Sequence, residues 1–273
     1  MDTSLGGLHA LITGASGGIG SATARLLASE GTNLTLQYKT HRERTELLAK
    51  ELANVNTFVH GADLSDESST QQLFAAAEDA LGRVDILIAN AGIWREESLP
   101  IHKMSIAEWN ETIANDLTSV FLSCREFFLN LKRNPKSYAT IVIVGSTAAI
   151  FGEAGHVDYA AAKAGIVYGM VSTLKNEIIS LAKKGRVNAV CPGWTRTTMA
   201  AGALSDPNAL QEALQTIPLQ KIAEPEDVAH MIGFLCSDYL AGHITGQVIT
   251  VAGGMEGRVL FPKKSQESEE KSA

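Results

Sequence analysis

Tyr159 and Lys163 stand four residues apart with only alanines between them, in the stretch Tyr159-Ala160-Ala161-Ala162-Lys163. On a helix that spacing sends both side chains from one face, one turn apart. A phenol with a pKa near ~10 is a poor base at neutral pH. An adjacent ammonium stabilises its phenolate and lowers that value. The pair could therefore give a proton to a carbonyl oxygen or take one from an alcohol. Taken alone, it could equally be an exposed pair on a helix surface. Ser146 closes the run Val144-Gly145-Ser146, thirteen residues before Tyr159. Its hydroxyl could orient the same oxygen by hydrogen bonding. No histidine base accompanies Ser146 in a recognisable motif, so it is not read as a nucleophile. His156, in a Gly-rich turn, is read as a surface or substrate-loop residue.

A second group lies near the N-terminus, in Thr13-Gly14-Ala15-Ser16-Gly17-Gly18-Ile19-Gly20. A glycine-rich turn from a strand into a helix lets backbone N–H groups approach a pyrophosphate. The candidate contacts are Gly14, Ser16, Gly18, Ile19 and Gly20. The bland alternative is a plain tight strand-to-helix turn. The spacing G-x-x-x-G-x-G differs from the commoner G-x-G-x-x-G.

Positioning these groups requires an alternation of strands and helices. Short apolar runs fall at 8–13, 33–38, 55–60, 84–89, 140–144, 186–190 and 247–251. Rich in Val, Ile and Leu and apolar on both faces, they predict parallel strands covered on both sides. Amphipathic segments at 18–30, 43–53, 67–81, 105–130, 157–183 and 226–237 predict the helices. The expectation is an α/β fold: a doubly wound parallel sheet of about seven strands with helices on both faces, as one domain over 1–262. Residues 195–220 break the alternation and carry Pro207 and Pro218, where a substrate lid over the strand ends is expected. The polar stretch 263–273 is expected to be a disordered tail.

Composition excludes other classes. The net charge is −7 and no basic stripe stands out, so neither nucleic acid nor an anionic membrane is expected as a partner. No apolar run reaches the ~18 residues of a membrane span, and the N-terminus lacks the basic start of a signal peptide. Cys124, Cys191 and Cys236 are odd in number and far apart. They fit buried thiols in a reducing, cytoplasmic setting, and no metal site is expected.

The chain resembles the short-chain dehydrogenase/reductase family. The resemblance rests on the glycine turn, Asp63, Asn90-Ala91-Gly92, Ser146, the Tyr159-x-x-x-Lys163 pattern and Pro192-Gly193. It spans roughly residues 8–255. The segments 244–247 and 253–255 are also similar to tetrameric members such as 3-oxoacyl carrier-protein reductases and sugar dehydrogenases. The resemblance implies a nicotinamide cofactor, with Tyr159 as acid/base and Ser146 and Lys163 beside it. It further implies Asp63 as the acceptor for the adenine amine, and Asn90 beside the adenine ribose as a brace for the central strand. Thr195, through its backbone, and Thr197 are implied at the nicotinamide carboxamide. The family's usual Asn in the helix after the fourth strand falls on Asp116, with Asn115 before it. That residue's backbone carbonyl is implied to hold a water linking the lysine to solvent. A carboxylate there puts the proton relay in question. Asp116 is kept as the fourth catalytic position.

NAD enzymes of this fold place an acid near the end of the second strand. Here that stretch reads Leu36-Gln37-Tyr38-Lys39-Thr40-His41-Arg42, with no acid. Lys39, Thr40 and Arg42 could pair with a 2′-phosphate, or be surface residues opening a helix. The expected cofactor is NADP(H), with NAD(H) second. The expected function is hydride transfer between it and a carbonyl or secondary alcohol. Alternatives are an NAD-dependent sugar or polyol dehydrogenase and a catalytically silent cofactor-binding regulator. For the substrate, Trp94, Trp194, Met199 and Leu204 could line an apolar pocket. Arg95, Glu96, Glu97 and Arg196 could read polar groups or face water. The resemblance implies a homodimer or homotetramer built on the helices beginning near Ser105 and Val157.

Overall fold

The computed structural model describes residues 3–260. Its strands are β1 (His9–Ile12), β2 (Asn33–Tyr38), β3 (Thr57–Gly61), β4 (Ile86–Ala89), β5 (Tyr138–Val144), β6 (Lys184–Pro192) and β7 (Val248–Val251). They form one sheet in the order β3-β2-β1-β4-β5-β6-β7, parallel throughout. The helices are α1 (Gly18–Ser29), α2 (Arg42–Glu51), α3 (Glu67–Leu81), α4 (Ile106–Ile113), α5 (Ser119–Arg133), α6 (Ala148–Phe151), α7 (Val157–Ala164), α8 (Val171–Glu177), α9 (Ala201–Ser205), α10 (Pro207–Gln215), α11 (Pro225–Cys236) and α12 (Asp238–Ala241).

Alternate residues of each central strand feed opposite cores, as a two-residue side-chain period requires. Leu11, Leu87, Ile141 and Val187 pack with Phe74 of α3, Phe127 of α5 and Val171 of α8. Ala10, Ile12, Ile86, Val142 and Val190 pack with Leu27 of α1, Leu48 of α2 and Ile232 of α11. The doubly wound sheet read from the alternating runs is the observed one. The edge strands β3 and β7 depart from it: their residues are mostly half-buried. Each has a strand neighbour on one side only, so less of its surface is covered.

The chain runs outward from β1 to β3 and then returns to β4 on the other side of β1. The order therefore reverses between β1 and β4, which opens a crevice at their carboxyl ends. Gly14 and Asn90 stand at its lip. Thr13 holds the two strands together there, its hydroxyl accepting from the N–H groups of Asn90 (2.8 Å) and Ala91 (2.9 Å).

Both long helices differ from their expected single spans. The first begins at a capping box, in which the Ser105 hydroxyl accepts from the Glu108 N–H and Glu108 accepts from the Ser105 N–H. A wider π turn at Ala114–Thr118 then separates α4 from α5. A second, at Gly165–Met170, separates α7 from α8. A π turn inserts one residue and re-aims the side chains around it. Here it turns Asp116 into the core and leaves Asn115 on the cleft wall. Segment 195–220 is helical, comprising a 3-10 turn at Thr198–Ala200, then α9 and α10. Its apolar residues make a small core of their own, in which Leu204 packs with Ala213, Ile217 and Ile222. The tail expected at 263–273 lies outside the described residues.

Candidate active site

One cleft of about 810 Å³ runs across the carboxyl ends of the strands, from Lys39 and Arg44 at one end to Trp94, Met199 and Met255 at the other. At its middle is the turn from β1 into α1. Gly14 has φ of +61°, a left-handed conformation that suits glycine. Its N–H donates to Gln37 Oε1 at 2.8 Å, while Gln37 Nε2 donates to the Ala62 carbonyl at 2.7 Å. Buried Gln37 thus ties the turn to β2 and to the end of β3. No side chain caps α1 at Gly17, so its first N–H groups are left for a ligand or solvent.

The glycines have distinct tasks. Gly14, Ser16, Gly18 and Ile19 line the cleft, but Gly20 lies behind it. A Cβ at Gly20 would come within 2.9 Å of Asn90 Nδ2, and Asn90 Nδ2 donates to the carbonyls of Thr13 (2.9 Å) and Gly14 (3.1 Å). Gly20 therefore shapes the turn from behind. Asn90 braces β4 against β1. A Cβ at Gly18 would lie 2.7 Å from Thr197 Cγ2, so segment 195–200 closes directly over the glycine turn. Backbone exposed at the start of a helix, in space that side chains would fill, fits a dinucleotide pyrophosphate.

At the far end of β2, Lys39 Nζ lies 2.9 Å from Asp63 Oδ2 and donates to Asn115 Oδ1 at 3.1 Å. The Ser65 hydroxyl (2.6 Å) and N–H (3.0 Å) donate to Asp63 Oδ1. Burial pushes the Asp63 carboxyl up, but Ser65 and Lys39 outweigh it and hold the group below its ordinary value. Thr40, His41 and Arg44 complete this wall. Arg42 does not reach it: its guanidinium pairs with Glu46 at 2.7 Å, one turn along α2 and in solvent. The one-residue-in-3.6 geometry of α2 turns Arg42 outward and Arg44 inward.

At the middle of the opposite wall stand Ser146, Tyr159 and Lys163. Ser146 follows β5, and its Oγ accepts from the Ala148 N–H at 3.1 Å, which fixes it at the start of α6. Tyr159 and Lys163 share one face of α7, and Lys163 Nζ sits 5.5 Å from the Tyr159 ring centre. Asp116 approaches Lys163 to 3.3 Å and accepts from the Ile93 N–H at 3.2 Å. Gly92 makes room for them, since a Cβ there would lie 3.2 Å from Lys163 Nζ and overlap Asp116 Oδ1.

The electrostatics of this trio differ from a simple tyrosine–lysine pair. Burial raises the Tyr159 pKa. Lys163 and a hydrogen bond with Ser146 pull it down, while Asp116 pushes it further up. The net direction is upward, so the pull of Lys163 is outweighed. Burial disfavours the Lys163 ammonium, yet Asp116 and the Tyr159 oxygen more than offset this and raise its pKa. Burial raises Asp116 in turn, with Lys163 and the Ile93 N–H opposing.

The family described as enoyl-(acyl carrier protein) reductase matches residues 14–256. A 3-oxoacyl-[acyl-carrier-protein] reductase of Synechocystis sp. is 37% identical over 256 residues, 93% of this chain and 98% of that protein. A crystal structure of a short-chain dehydrogenase/reductase of the glucose/ribitol dehydrogenase type from Brucella melitensis aligns with a TM-score of 0.82 at 33% identity. It covers 94% of this chain and 99% of that one. The chain belongs to the short-chain dehydrogenase/reductase family. A 3beta-hydroxysteroid dehydrogenase 1 of Eggerthella lenta is 36% identical, over 94% of this chain and 96% of its own length. A 7 alpha-hydroxysteroid dehydrogenase, solved with NADH and 7-oxo glycochenodeoxycholic acid, aligns with a TM-score of 0.86 at 26% identity and covers 94% and 98%. Short-chain dehydrogenase/reductases are oxidoreductases that bind nicotinamide cofactors.

Against this family, the substrate end shows what the sequence reading missed. His156 is neither on the surface nor free. It is 5% exposed, and its ring stacks under Trp94 with centres 3.9 Å apart. Trp94 in turn meets the edge of Tyr159 at 4.8 Å. Arg95 and Arg196 do not line the cleft. Arg95 pairs with buried Asp158 at 3.1 Å and Arg196 with Glu224 at 3.0 Å. Thr195 forms a parallel bridge to Ala223, and Thr197 accepts from the Ala200 N–H; both line the cleft. Gln37, Arg44 and Glu153 are cleft residues that no motif singled out. Gln37 sits within an apolar strand run, Arg44 looks like any helix-surface charge, and Glu153 lies in a loop between two motif residues. Among the described residues no helix is long and apolar enough to cross a membrane, and no cluster suited to a metal is found.

Proposed function

We propose that this chain is an NADP(H)-dependent carbonyl reductase or alcohol dehydrogenase in which Tyr159 moves the proton. The observation that carries the reading is the convergence of Ser146, Tyr159 and Lys163 on one wall of the cleft that the glycine turn also lines. A bound reduced nicotinamide supplies the hydride. Ser146 orients the substrate oxygen, Tyr159 gives it a proton, and Lys163 stabilises the phenolate left behind. Asp116 keeps Lys163 charged in its buried site. Gly14, Ser16, Gly18 and Ile19 face the pyrophosphate, Asp63 and Asn90 the adenosine, and Thr195 and Thr197 the nicotinamide amide. Lys39 and Arg44 meet the 2′-phosphate, with no acid at the end of β2 to repel it.

Segment 195–220 acts as the substrate lid, since it closes on Gly18 and carries Met199 into the cleft. The chain assembles as a homodimer or homotetramer through α4–α5 and α7–α8, where Phe121, Leu129 and Tyr168 remain exposed. Its three thiols are free and buried, which suits the cytoplasm.

The test follows loss of reduced-nicotinamide absorbance with NADPH and NADH in parallel, across ketones, oxoacyl thioesters, sugars and quinones. Tyr159→Phe should keep cofactor binding and lose turnover by ~10²-fold or more. Undiminished turnover in that variant refutes the assignment of Tyr159. Sedimentation at a single-chain mass refutes the assembly.

A further inference from the structure

We infer that Glu153 selects substrates by charge: the substrate end of the cleft takes a neutral or cationic carbonyl compound with an apolar, ring-sized body. It rejects compounds bearing an anion within about a ring's length of the reacting carbon. The inference rests on the proposed carbonyl reduction at Tyr159 and adds the substrate class.

The cleft is electrically lopsided. Among the described residues that line it, the basic side chains are Lys39, His41, Arg44 and Lys163. The first three stand at the nucleotide end. Lys163 is already matched by Asp116. The two arginines of the neighbouring loops are tied to Asp158 and Glu224 and stay off the wall. Among the described residues lining the cleft, no unpaired lysine or arginine is therefore left to receive a carboxylate or phosphate beside Tyr159.

Glu153 supplies the opposite sign at that place. It lies in the turn from α6 to α7, between Ser146 and Tyr159 in the chain, and its side chain faces the cleft. It is half-buried, and among the described residues its carboxylate has no hydrogen-bond or ion-pair partner. His156 is the nearest candidate, but its two ring nitrogens meet the carbonyls of Arg95 (3.0 Å) and Ala154 (3.3 Å), and Trp94 covers its face. Burial raises the Glu153 pKa, with neighbouring His156 opposing it. A carboxylate held out of water without a partner gains from a ligand hydroxyl or ammonium and repels a ligand anion. The remaining wall, Ile93, Trp94, Trp194, Met199 and Met255, is apolar and offers a flat indole for a ring to lie on.

The experiment compares 4-hydroxy-, 4-amino- and 4-carboxycyclohexanone as substrates of the wild-type protein and of Glu153→Gln. Quenching of Trp94 and Trp194 fluorescence by the same compounds, with cofactor bound, reads binding apart from turnover. In the wild type the carboxylate should bind and react at least ~tenfold worse than the hydroxyl compound, the loss falling on KM and not on kcat. Glu153→Gln should restore most of that factor for the carboxylate measured against the hydroxyl compound, and should weaken the amine. A wild type that prefers the carboxylate, or a ratio that Glu153→Gln leaves unmoved in both readouts, overturns the charge selection. Ordered quenching without consumption of any ketone supports the charge selection and overturns the carbonyl-reductase reading instead.

Discussion

The Asp116 carboxylate lies 3.3 Å from the Lys163 ammonium, with both side chains buried. The π turn at Ala114–Thr118 aims Asp116 inward, and Gly92 leaves the space that the pair fills. In the proposed mechanism Lys163 faces two acidic groups, the Asp116 carboxyl and the Tyr159 hydroxyl. The carboxylate keeps the lysine charged without solvent, but it also raises the Tyr159 pKa. A tyrosine held protonated is suited to giving its proton to a carbonyl.

Asp116→Asn should shift the pH profile in a defined direction. In the proposed mechanism alcohol oxidation needs Tyr159 deprotonated, and Asp116 raises the Tyr159 pKa. Removing the charge should move the rising limb of kcat/KM for oxidation to lower pH. The limb of carbonyl reduction, which needs the protonated form, should fall at lower pH as well. Profiles that coincide with those of the wild type would show that Asp116 does not tune the tyrosine.

Lys39→Ala should erode discrimination between the cofactors. Lys39 is held at the end of the cleft by Asp63 and Asn115. A charge-assisted contact to a 2′-phosphate contributes on the order of tenfold in affinity. The ratio of kcat/KM for NADPH over NADH should fall by about that factor, mostly through the KM for NADPH. Arg44→Ala should act in the same direction, and Arg42→Ala should not, since Arg42 is engaged with Glu46 in solvent. An unchanged ratio in both Lys39→Ala and Arg44→Ala would remove this wall from 2′-phosphate recognition.

The parts of the fold legible in the sequence are those that depend on local pattern. Val, Ile and Leu runs of strand length announced the sheet. Glycine spacing and the Tyr159–Lys163 turn announced the two halves of the cleft. What stayed hidden depends on tertiary packing. An extra residue in a π turn shifts the helical phase by one position, which over the short stretches around Asp116 and Gly165 is indistinguishable from ordinary scatter in the apolar pattern. Gln37 occupies a strand position like its apolar neighbours, and its role exists only because the Gly14 N–H and the Ala62 carbonyl flank it. Arg42 and Arg44 differ only in which side of α2 meets the cleft. Burial of His156 follows from the position of Trp94, some sixty residues away in the chain.

Gly20→Ala sets two effects against each other. Within α1, alanine is favoured over glycine by ~1 kcal/mol from backbone entropy. The added Cβ would meet Asn90 Nδ2 at 2.9 Å and Ala15 Cα at 3.0 Å, and would overlap the Gly14 carbonyl. Forcing a methyl into filled space costs about 1–3 kcal/mol. Backbone atoms in the contact cannot step aside as a flexible side chain would, so the clash should win. The variant should melt earlier and bind cofactor more weakly, as read by a thermal melt and by quenching of reduced-nicotinamide fluorescence. A melt at or above the wild-type midpoint would show that the turn relaxes at no cost.

The buried histidine of β1 should add an acid limb to stability. His9 Nδ1 lies 2.9 Å from the Gly82 carbonyl, so it carries the proton, and Nε2 then accepts from the Thr35 hydroxyl at 2.8 Å. The neutral ring is fully satisfied in this arrangement. Burial lowers its pKa below the ordinary histidine value of 6.5, with the Gly82 carbonyl and Asp85 opposing. A depressed folded pKa means that the unfolded chain takes up the proton first as pH falls. The contribution is therefore complete above pH 6.5 and is lost as pH drops through the lowered folded value. His9→Gln removes the titration while keeping a side chain that can donate to Gly82. Between pH 7.5 and pH 5 the wild-type melting temperature should fall by about 2 °C more than that of the variant. Parallel falls in the two proteins would show that His9 titrates alike in the folded and unfolded chain.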